Sequence, residues 1–214
     1  LLTRPEELVE FVSQARAADA VALDMEFERE RTYRPILQLV QLATRERAVL
    51  VDPLQIDDLG PLWNLVADPD VRILFHAGRQ DLEIFLHDWG RIPLPLFDTQ
   101  PAAALLGHGD QIGYANLVKV LLDVQLPKDQ SRTDWSRRPL EKQQLRYALD
   151  DVIYLGELYL HMRGHLFDRE RLQWLAADFA TLADPRTYYP APASMWQRVK
   201  GRQQLRGRQL AVLQ

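Results

Sequence analysis

The sequence has 214 residues, of which 47% are hydrophobic and 26% charged, a globular composition that excludes overall disorder. Its 26 Lys and Arg against 30 Asp and Glu give a net charge of −4. This charge excludes a general positive field, so any site for a polyanion must be local. Without cysteine the chain has no disulfide framework, thiolate metal site or cysteine nucleophile.

The two ends of the sequence guide our expectation about location. The start, LLTRPEELVEF, lacks a signal peptide's basic region and long apolar stretch, and no apolar run approaches the ~20 residues that span a bilayer. We therefore expect a cytoplasmic protein with no membrane partner. The missing initiator methionine and the unfinished amphipathic pattern at RGRQLAVLQ lead us to expect a piece cut from a longer chain.

The N-terminal part predicts a helix followed by three strands. Apolar residues recur at helical spacing over 4–17, and from residue 20 the period changes to two, which is the spacing of a strand. Further strands are predicted at 36–43 and 47–52. The short links between these strands favour an antiparallel meander.

Helices and strands alternate in the next part of the sequence. Helices are predicted at 58–67 and 81–89, a strand at 72–76, and a short extended segment near Leu96 and Phe97. Because helical crossovers join parallel strands, these strands should add in parallel to the same sheet. We therefore expect an α/β fold with a mixed sheet flanked by helices.

The remainder of the sequence is predicted to be helical as far as a linker. Helices are expected at 99–106, 113–122, 140–165 and 168–182, and prolines at 184–193 mark the linker. We place the domain boundary after residue 166, so that 167–214 contains a helix, the linker and the start of a second domain. Five cationic residues without an acid follow the linker, either as a solvated helix face or as an RNA-binding patch: Arg198, Lys200, Arg202, Arg206 and Arg208.

Two acidic residues share one face of the first predicted strand. Asp24 and Glu26 are two apart, so their side chains point the same way. Neighbouring carboxylates repel each other, and a chain accepts them readily only where a proton or a metal cation lies between them. A solvated strand face is the alternative, but the apolar flank AVALDMEF favours a site.

Two later positions offer further acids. Asp81 follows the strand that ends at His76, where an acid can simply stabilise a helix N-terminus, although sites also assemble at such junctions. In LRYALDDVIYL, Tyr147 and Asp151 are four apart and lie on one side of the predicted helix. Asp150 lies near the same side, and helical geometry alone does not choose between the two aspartates.

Together these motifs resemble the DEDD family of 3′-to-5′ exonucleases, in the subgroup with a tyrosine in the last motif. The resemblance rests on Asp24-Met25-Glu26, on Asp81, and on Tyr147 to Asp151. The surrounding segments are similar to the ribonuclease D family in particular: DMEFERERTYRP, VDPL, FHAGRQDLEIF, LFDTQ, SRTDWSRRPL and YALDDVIYL.

The resemblance covers about residues 3–165 and implies a ribonuclease H-like fold. It selects Asp151 over Asp150 as the last acid. The C-terminal tail also resembles the approach to a helicase-and-RNase-D C-terminal (HRDC) domain, cut off in its first helix.

The resemblance further implies a site for two divalent metal ions. Carboxylates suit Mg²⁺ or Mn²⁺, and two such ions neutralise charge on the attacking and leaving oxygens of a phosphodiester. Asp24 would bind both ions, and Asp81 the second. Glu26 and Asp151 would bind the ion that holds the attacking water, which Tyr147 would orient.

A local nucleic-acid contact is predicted in the loop 131–138. This loop carries Arg132, Arg137 and Arg138 with Trp135, a mixture that can hold phosphates and stack a base. The alternative is a solvated loop with Trp135 in the core. Met25, between the two acids of the first strand, is a further candidate contact.

The resemblance therefore implies a 3′-to-5′ exoribonuclease that hydrolyses RNA 3′ ends, such as those of tRNA precursors, to nucleoside 5′-monophosphates. A DNA exonuclease of the proofreading or repair type would use the same acids, so DNA is a possible partner. A catalytically silent binding module predicts losses among the acids, and all of them are present. A glycosidase needs only two acidic residues, so this function would leave Tyr147 and the other two acidic residues unexplained.

Overall fold

The computed structural model describes residues 1–29, 31, 32, 34–127, 133–189, 196 and 199–213. The chain divides into two units, Leu1–Ala183 and Asp184–Gln214. The sheet and the acidic residues identified in the sequence belong to the first unit.

A five-stranded mixed sheet forms the centre of the first unit. Its strands are β1 (Ala20–Glu28), β2 (Ile36–Ala43), β3 (Ala48–Val51), β4 (Arg72–Phe75) and β5 (Leu96–Asp98). They lie in the order β3-β2-β1-β4-β5. The first three strands pair antiparallel, whereas β4 is parallel to β1 and β5 is parallel to β4. The predicted meander with later parallel strands is confirmed.

Helices flank this sheet. In the first unit they are α1 (Pro5–Ala15), α2 (Gly60–Val66), α3 (Arg79–Trp89), α4 (Thr99–Leu105), α5 (Tyr114–Leu122), α6 (Lys142–Ile153), α7 (Leu155–Asp168) and α8 (Leu175–Ala183), with a 3₁₀ turn at Leu172–Trp174. The helix predicted over 140–165 is interrupted at Tyr154, which ends α6 and begins α7. None of the helices within the described residues is long and apolar enough to cross a membrane.

The second unit is short. It contains 3₁₀ turns at Pro185–Thr187 and Arg202–Gln204 and the helix α9 (Arg208–Leu213). The guanidinium of Arg202 lies 5.7 Å from the centroid of the Trp196 ring. Arg198 and residues 190–193 of the predicted linker lie outside the described residues.

Helices α6 and α7 cover one face of the sheet. Ala22 of β1 packs in a buried cluster with Met162 of α7, and Leu39 of β2 packs in another with Ala148 of α6. Because strand residues two apart share a face, the two acids of β1 point to the same side as Ala22. The acids therefore lie under α6 and α7.

A buried ion pair attaches the segment before α6 to the sheet. Nε and Nη2 of Arg138 donate to the two carboxylate oxygens of Asp52 at 2.6 and 2.8 Å. The remaining N–H groups donate to the backbone oxygens of Gln38, Trp135 and Arg137. All five guanidinium donors are thus used within the protein, and they join β2, the end of β3 and the loop that leads to α6.

We predict that Asp52→Asn destabilises the first unit by ~3–5 kcal/mol, because it leaves the Arg138 charge without its buried partner. Burial alone would raise the pKa of Asp52, but hydrogen bonds from Arg138, Gln55 and the Leu54 N–H lower it overall. The contribution of Asp52 to folding stability should therefore persist at pH values above ~3.9, which is the pKa of aspartate in an unfolded chain. This contribution should disappear as the pH falls below that value.

Urea denaturation at pH 7 and pH 3 measures this effect. Glu83→Gln, which breaks the exposed pair with Arg29, is the matched control and should cost less than ~1 kcal/mol. A cost for Asp52→Asn no larger than that of the control would contradict the assigned role.

Candidate active site

Strand β1 extends past its parallel neighbour. It pairs with β4 only as far as Ala22, opposite Leu74, whereas its pairing with β2 continues to Glu28. Asp24 and Glu26 therefore lie beyond the last β1–β4 pair. This is the carboxyl end of the parallel strands, where α/β proteins place their sites.

Helix α6 brings a third carboxylate to the two on β1. One oxygen each from Asp24, Glu26 and Asp151 lie within 4.8 Å of one another. Asp150 instead accepts a hydrogen bond from Nε of Arg146 at 2.9 Å, one turn earlier in the helix. Asp151, and not Asp150, thus joins the acids of β1.

The fourth acid lies at the start of α3. Asp81 is in the first turn of this helix and is 6% exposed. The turn before α3 is held by the buried carboxylate of Asp98, which accepts the N–H groups of Ala77 and Gly78 at 2.9 Å each. Ala77 has φ +56°, a conformation that a side chain disfavours, so the bonds to Asp98 stabilise the turn that presents Asp81.

Two of the acids, Asp24 and Asp81, are poorly compensated in charge. Burial raises the pKa of Asp24 to about 7, against the opposing effect of the Met25 N–H. Burial and then the charge of Asp24 raise the pKa of Asp81 well above its usual range. Over the described ranges, neither aspartate forms a salt bridge. A cation would relieve this repulsion, and the hard oxygen donors fit Mg²⁺ or Mn²⁺.

Tyr147 lies one turn before Asp151 on α6 and is half-buried. Its ring centroid lies 6.1 Å from that of Trp135, with a tilt of 37° between the rings. Trp135 belongs to the cluster that contains Leu39 and Ala148, and Tyr147 packs against that cluster. The core therefore supports the ring of Tyr147 one turn before Asp151.

The comparison with protein families gives a clear result at this point. The family model described as 3′-5′ exonuclease matches residues 1–166. The chain belongs to the 3′-5′ exonuclease family.

Individual relatives agree with the family assignment. Ribonuclease D of Gluconacetobacter diazotrophicus is 46% identical over 214 residues, which are 100% of this chain and 54% of that protein. The crystal structure of Escherichia coli RNase D, described as an exoribonuclease involved in structured RNA processing, has 38% identity and a TM-score of 0.82, covering 98% of this chain and 56% of that one.

The solved structure of a third relative contains a bound metal ion. Brucella melitensis NrnC with bound Mg²⁺ has 28% identity and a TM-score of 0.72, covering 87% of this chain and 91% of that one. The chain spans about half the length of the curated relatives that it matches. The resemblance to ribonuclease D that the sequence motifs indicated is confirmed.

The residues predicted to contact nucleic acid differ in exposure. Met25 is 4% and Trp135 5% exposed. Of the two roles left open for Trp135, the structure therefore shows the core role, which leaves no free ring face to stack a base. Arg138 donates all its N–H groups within the protein, so none remains for a phosphate. Arg137 is exposed, and Arg132 lies outside the described residues.

Two polar residues near the acids carry no signal in the sequence. The hydroxyl of Tyr114 donates to the backbone oxygen of Asp150 at 3.0 Å. Its pKa is raised by burial and by the charges of Asp151 and Asp24, so Tyr114 lies close to the acids. Gln41 is buried on β2 opposite Asp24. No motif or spacing in the sequence identifies either residue.

We predict that Asp24→Asn raises the metal-free stability of the protein at pH 8 by ~1–4 kcal/mol, since one pKa unit corresponds to ~1.4 kcal/mol. The pKa of Asp24 is about 7 in the folded protein and ~3.9 in an unfolded chain. Wild type therefore loses stability as the pH rises between these values, whereas the uncharged variant does not.

Urea denaturation in EDTA at pH 8 and pH 4 measures the difference, which should shrink at the lower pH. Asp57→Asn, at an exposed position, is the control and should change little. A variant that is less stable than wild type at pH 8 would show that Asp24 is mainly a structural residue.

Proposed function

We propose that this chain contains the catalytic part of a ribonuclease D-type 3′-to-5′ exoribonuclease. It would remove nucleoside 5′-monophosphates from RNA 3′ ends, such as those of tRNA precursors. The convergence of Asp24, Glu26 and Asp151 within 4.8 Å carries the proposal. The description of the similar E. coli enzyme as an exoribonuclease supports RNA as the substrate.

Four carboxylates would hold two divalent ions, Mg²⁺ or Mn²⁺. Asp24 would bind both ions, Glu26 and Asp151 the one with the attacking water, and Asp81 the other. When bound, the ions lower the pKa of a bound water and neutralise charge on the attacking and leaving oxygens. The uncompensated charge of Asp24 and Asp81 and the Mg²⁺ bound by the similar NrnC support this arrangement.

Tyr147 would orient the attacking water. Its hydroxyl is the neutral hydrogen-bonding group one turn from Asp151. A tyrosine hydroxyl in water loses its proton only near ~pH 10, so this group would direct the lone pair of the water toward phosphorus rather than remove its proton.

The substrate backbone would follow the loop that precedes α6. Because the net charge is −4, phosphate contacts must come from local cations. We assign this role to the exposed Arg137 and to Arg132. Arg138 and Trp135 would instead fix the loop that carries them.

We further propose a catalytic domain at 1–166 and an approach to an HRDC-type domain at 167–214. A cytoplasmic location suits an enzyme that processes RNA precursors. These assignments rest on the match to residues 1–166 and on the resemblance of the tail.

One assay tests the proposed activity. A 5′-labelled RNA and its DNA counterpart are each incubated with Mn²⁺ or with EDTA. We expect stepwise shortening of the RNA from its 3′ end, with mononucleotide products, only when metal is present. Cleavage of DNA alone would favour the proofreading-type activity, and RNA binding without cleavage of either polymer would favour a silent binding module.

We predict that Asp151→Asn lowers both Mn²⁺ affinity and cleavage rate, whereas Asp150→Asn leaves the enzyme substantially active. The reason is that Asp151 meets the acids of β1, while Asp150 pairs with Arg146. Calorimetric titration with Mn²⁺ and the RNA assay measure the two effects. Equal losses in both variants would contradict the assignment.

We predict that Tyr147→Phe lowers kcat by ~10²–10³, as removal of one positioned hydrogen-bonding group does. RNA affinity should remain largely unchanged, because the hydroxyl acts chiefly in the transition state. Single-turnover cleavage and equilibrium RNA binding separate the two quantities. Tyr159→Phe, which removes the hydroxyl bonded to Arg72, is the control. A tenfold or greater loss of affinity with unchanged kcat would make Tyr147 a binding residue.

A further inference from the structure

We infer that Gln41 is a positioning residue that donates a hydrogen bond to the carboxylate of Asp24 when Asp24 holds a divalent cation. The inference rests on the proposed metal-dependent function. It deepens that proposal because it adds a residue outside the four acids and the tyrosine.

Gln41 is buried at a cost that packing does not explain. The residue is 0% exposed, and neither Oε1 nor Nε2 of its side chain has a hydrogen-bond partner in the described portion of the chain. An amide without a partner in such a position destabilises the folded protein. A leucine or methionine would fill the same space without that cost.

The strand register places Gln41 beside Asp24. The two residues are directly opposite in the antiparallel β1–β2 pair, so their side chains share one face, with Cβ atoms about 4.5–5.5 Å apart. The other cross-strand neighbour of Gln41 is Leu50 of β3, which is apolar and buried. Between these two cross-strand neighbours, Asp24 alone offers a hydrogen-bond acceptor on its side chain.

Asp24 needs such a donor. A carboxylate that is shared between two cations must keep both oxygens in a fixed orientation, and carboxylates that bind metals are usually hydrogen-bonded by a neighbouring group. Glu26 and Asp151 share the site and repel Asp24. The neutral amide of Gln41 can fix the carboxylate without adding a charge that would compete with the cation.

The test compares Gln41→Met with Gln38→Met. Methionine has nearly the volume of glutamine and no strong hydrogen-bonding group. Gln38 is the matched control because it lies on the same strand, is buried, and also has a side-chain oxygen without a partner in the described residues. It lies at the β1–β2 irregularity and is not opposite Asp24.

We expect Gln41→Met to weaken Mn²⁺ binding ~10–100-fold in calorimetric titration, as loss of a group supporting a metal ligand does. Its metal-free melting temperature should equal or exceed that of wild type, because an unpaired amide is removed. Saturating Mn²⁺ should restore RNA cleavage to within a few-fold of wild type. Gln38→Met should bind Mn²⁺ as wild type does.

Three results would overturn the inference: unchanged Mn²⁺ affinity in Gln41→Met, a lower metal-free melting temperature or loss of folding in that variant, or an equal loss of Mn²⁺ affinity in both variants. The proposed function fails separately. The proposed function fails if the wild-type protein neither binds Mn²⁺ nor cleaves RNA. If the wild-type protein does both, and Gln41→Met binds Mn²⁺ equally well, only the inference about Gln41 fails.

Discussion

Repulsion among partly buried carboxylates on β1 and α6 must be offset by the elements that surround them. Three of them approach within 4.8 Å, and the charge of Asp24 also acts on Asp81. Such a group is stable only where the backbone is held firmly and a proton or cation offsets the charge. The position of β1 in the middle of the sheet, paired on both sides up to Ala22, supplies that support.

Two other buried aspartates hold the segments that deliver the remaining site residues. Asp98 binds the turn before α3, and Asp52 binds Arg138 in the loop before α6. Hydrogen bonds from Arg138, Gln55 and the Leu54 N–H lower the pKa of Asp52 despite its burial, whereas burial raises the pKa of Asp24 and Asp81. An aspartate thus stabilises the fold where hydrogen-bond donors surround its carboxylate, as at Asp52. It carries a poorly compensated charge where such donors are few, as at Asp24 and Asp81.

The sequence was sufficient for the sheet and for the residues on β1, because these depend on local periodicity. A period of two indicated both the strand and the shared face of Asp24 and Glu26. Helical spacing left Asp150 and Asp151 open, because the choice depends on packing. Ala148 and Val152 face the sheet, while Arg146 binds Asp150.

Contacts between distant segments were beyond sequence reasoning. The Arg138–Asp52 pair joins residues 86 positions apart, so an arginine-rich loop looked like a phosphate site. Burial of Trp135 depends on Leu39, Leu50 and Leu140, which no motif links to it. The break at Tyr154 and the isolated amide of Gln41 are likewise visible only when the helices are packed on the sheet.

A crystal structure with Mn²⁺, in which anomalous diffraction locates the ions, tests the proposed metal site most directly. We predict two anomalous peaks ~3.5–4 Å apart, both bound by Asp24, with Glu26 and Asp151 on one and Asp81 toward the other. Peaks away from Asp24, or no peak at this cleft under conditions that support RNA cleavage, would contradict the proposed site.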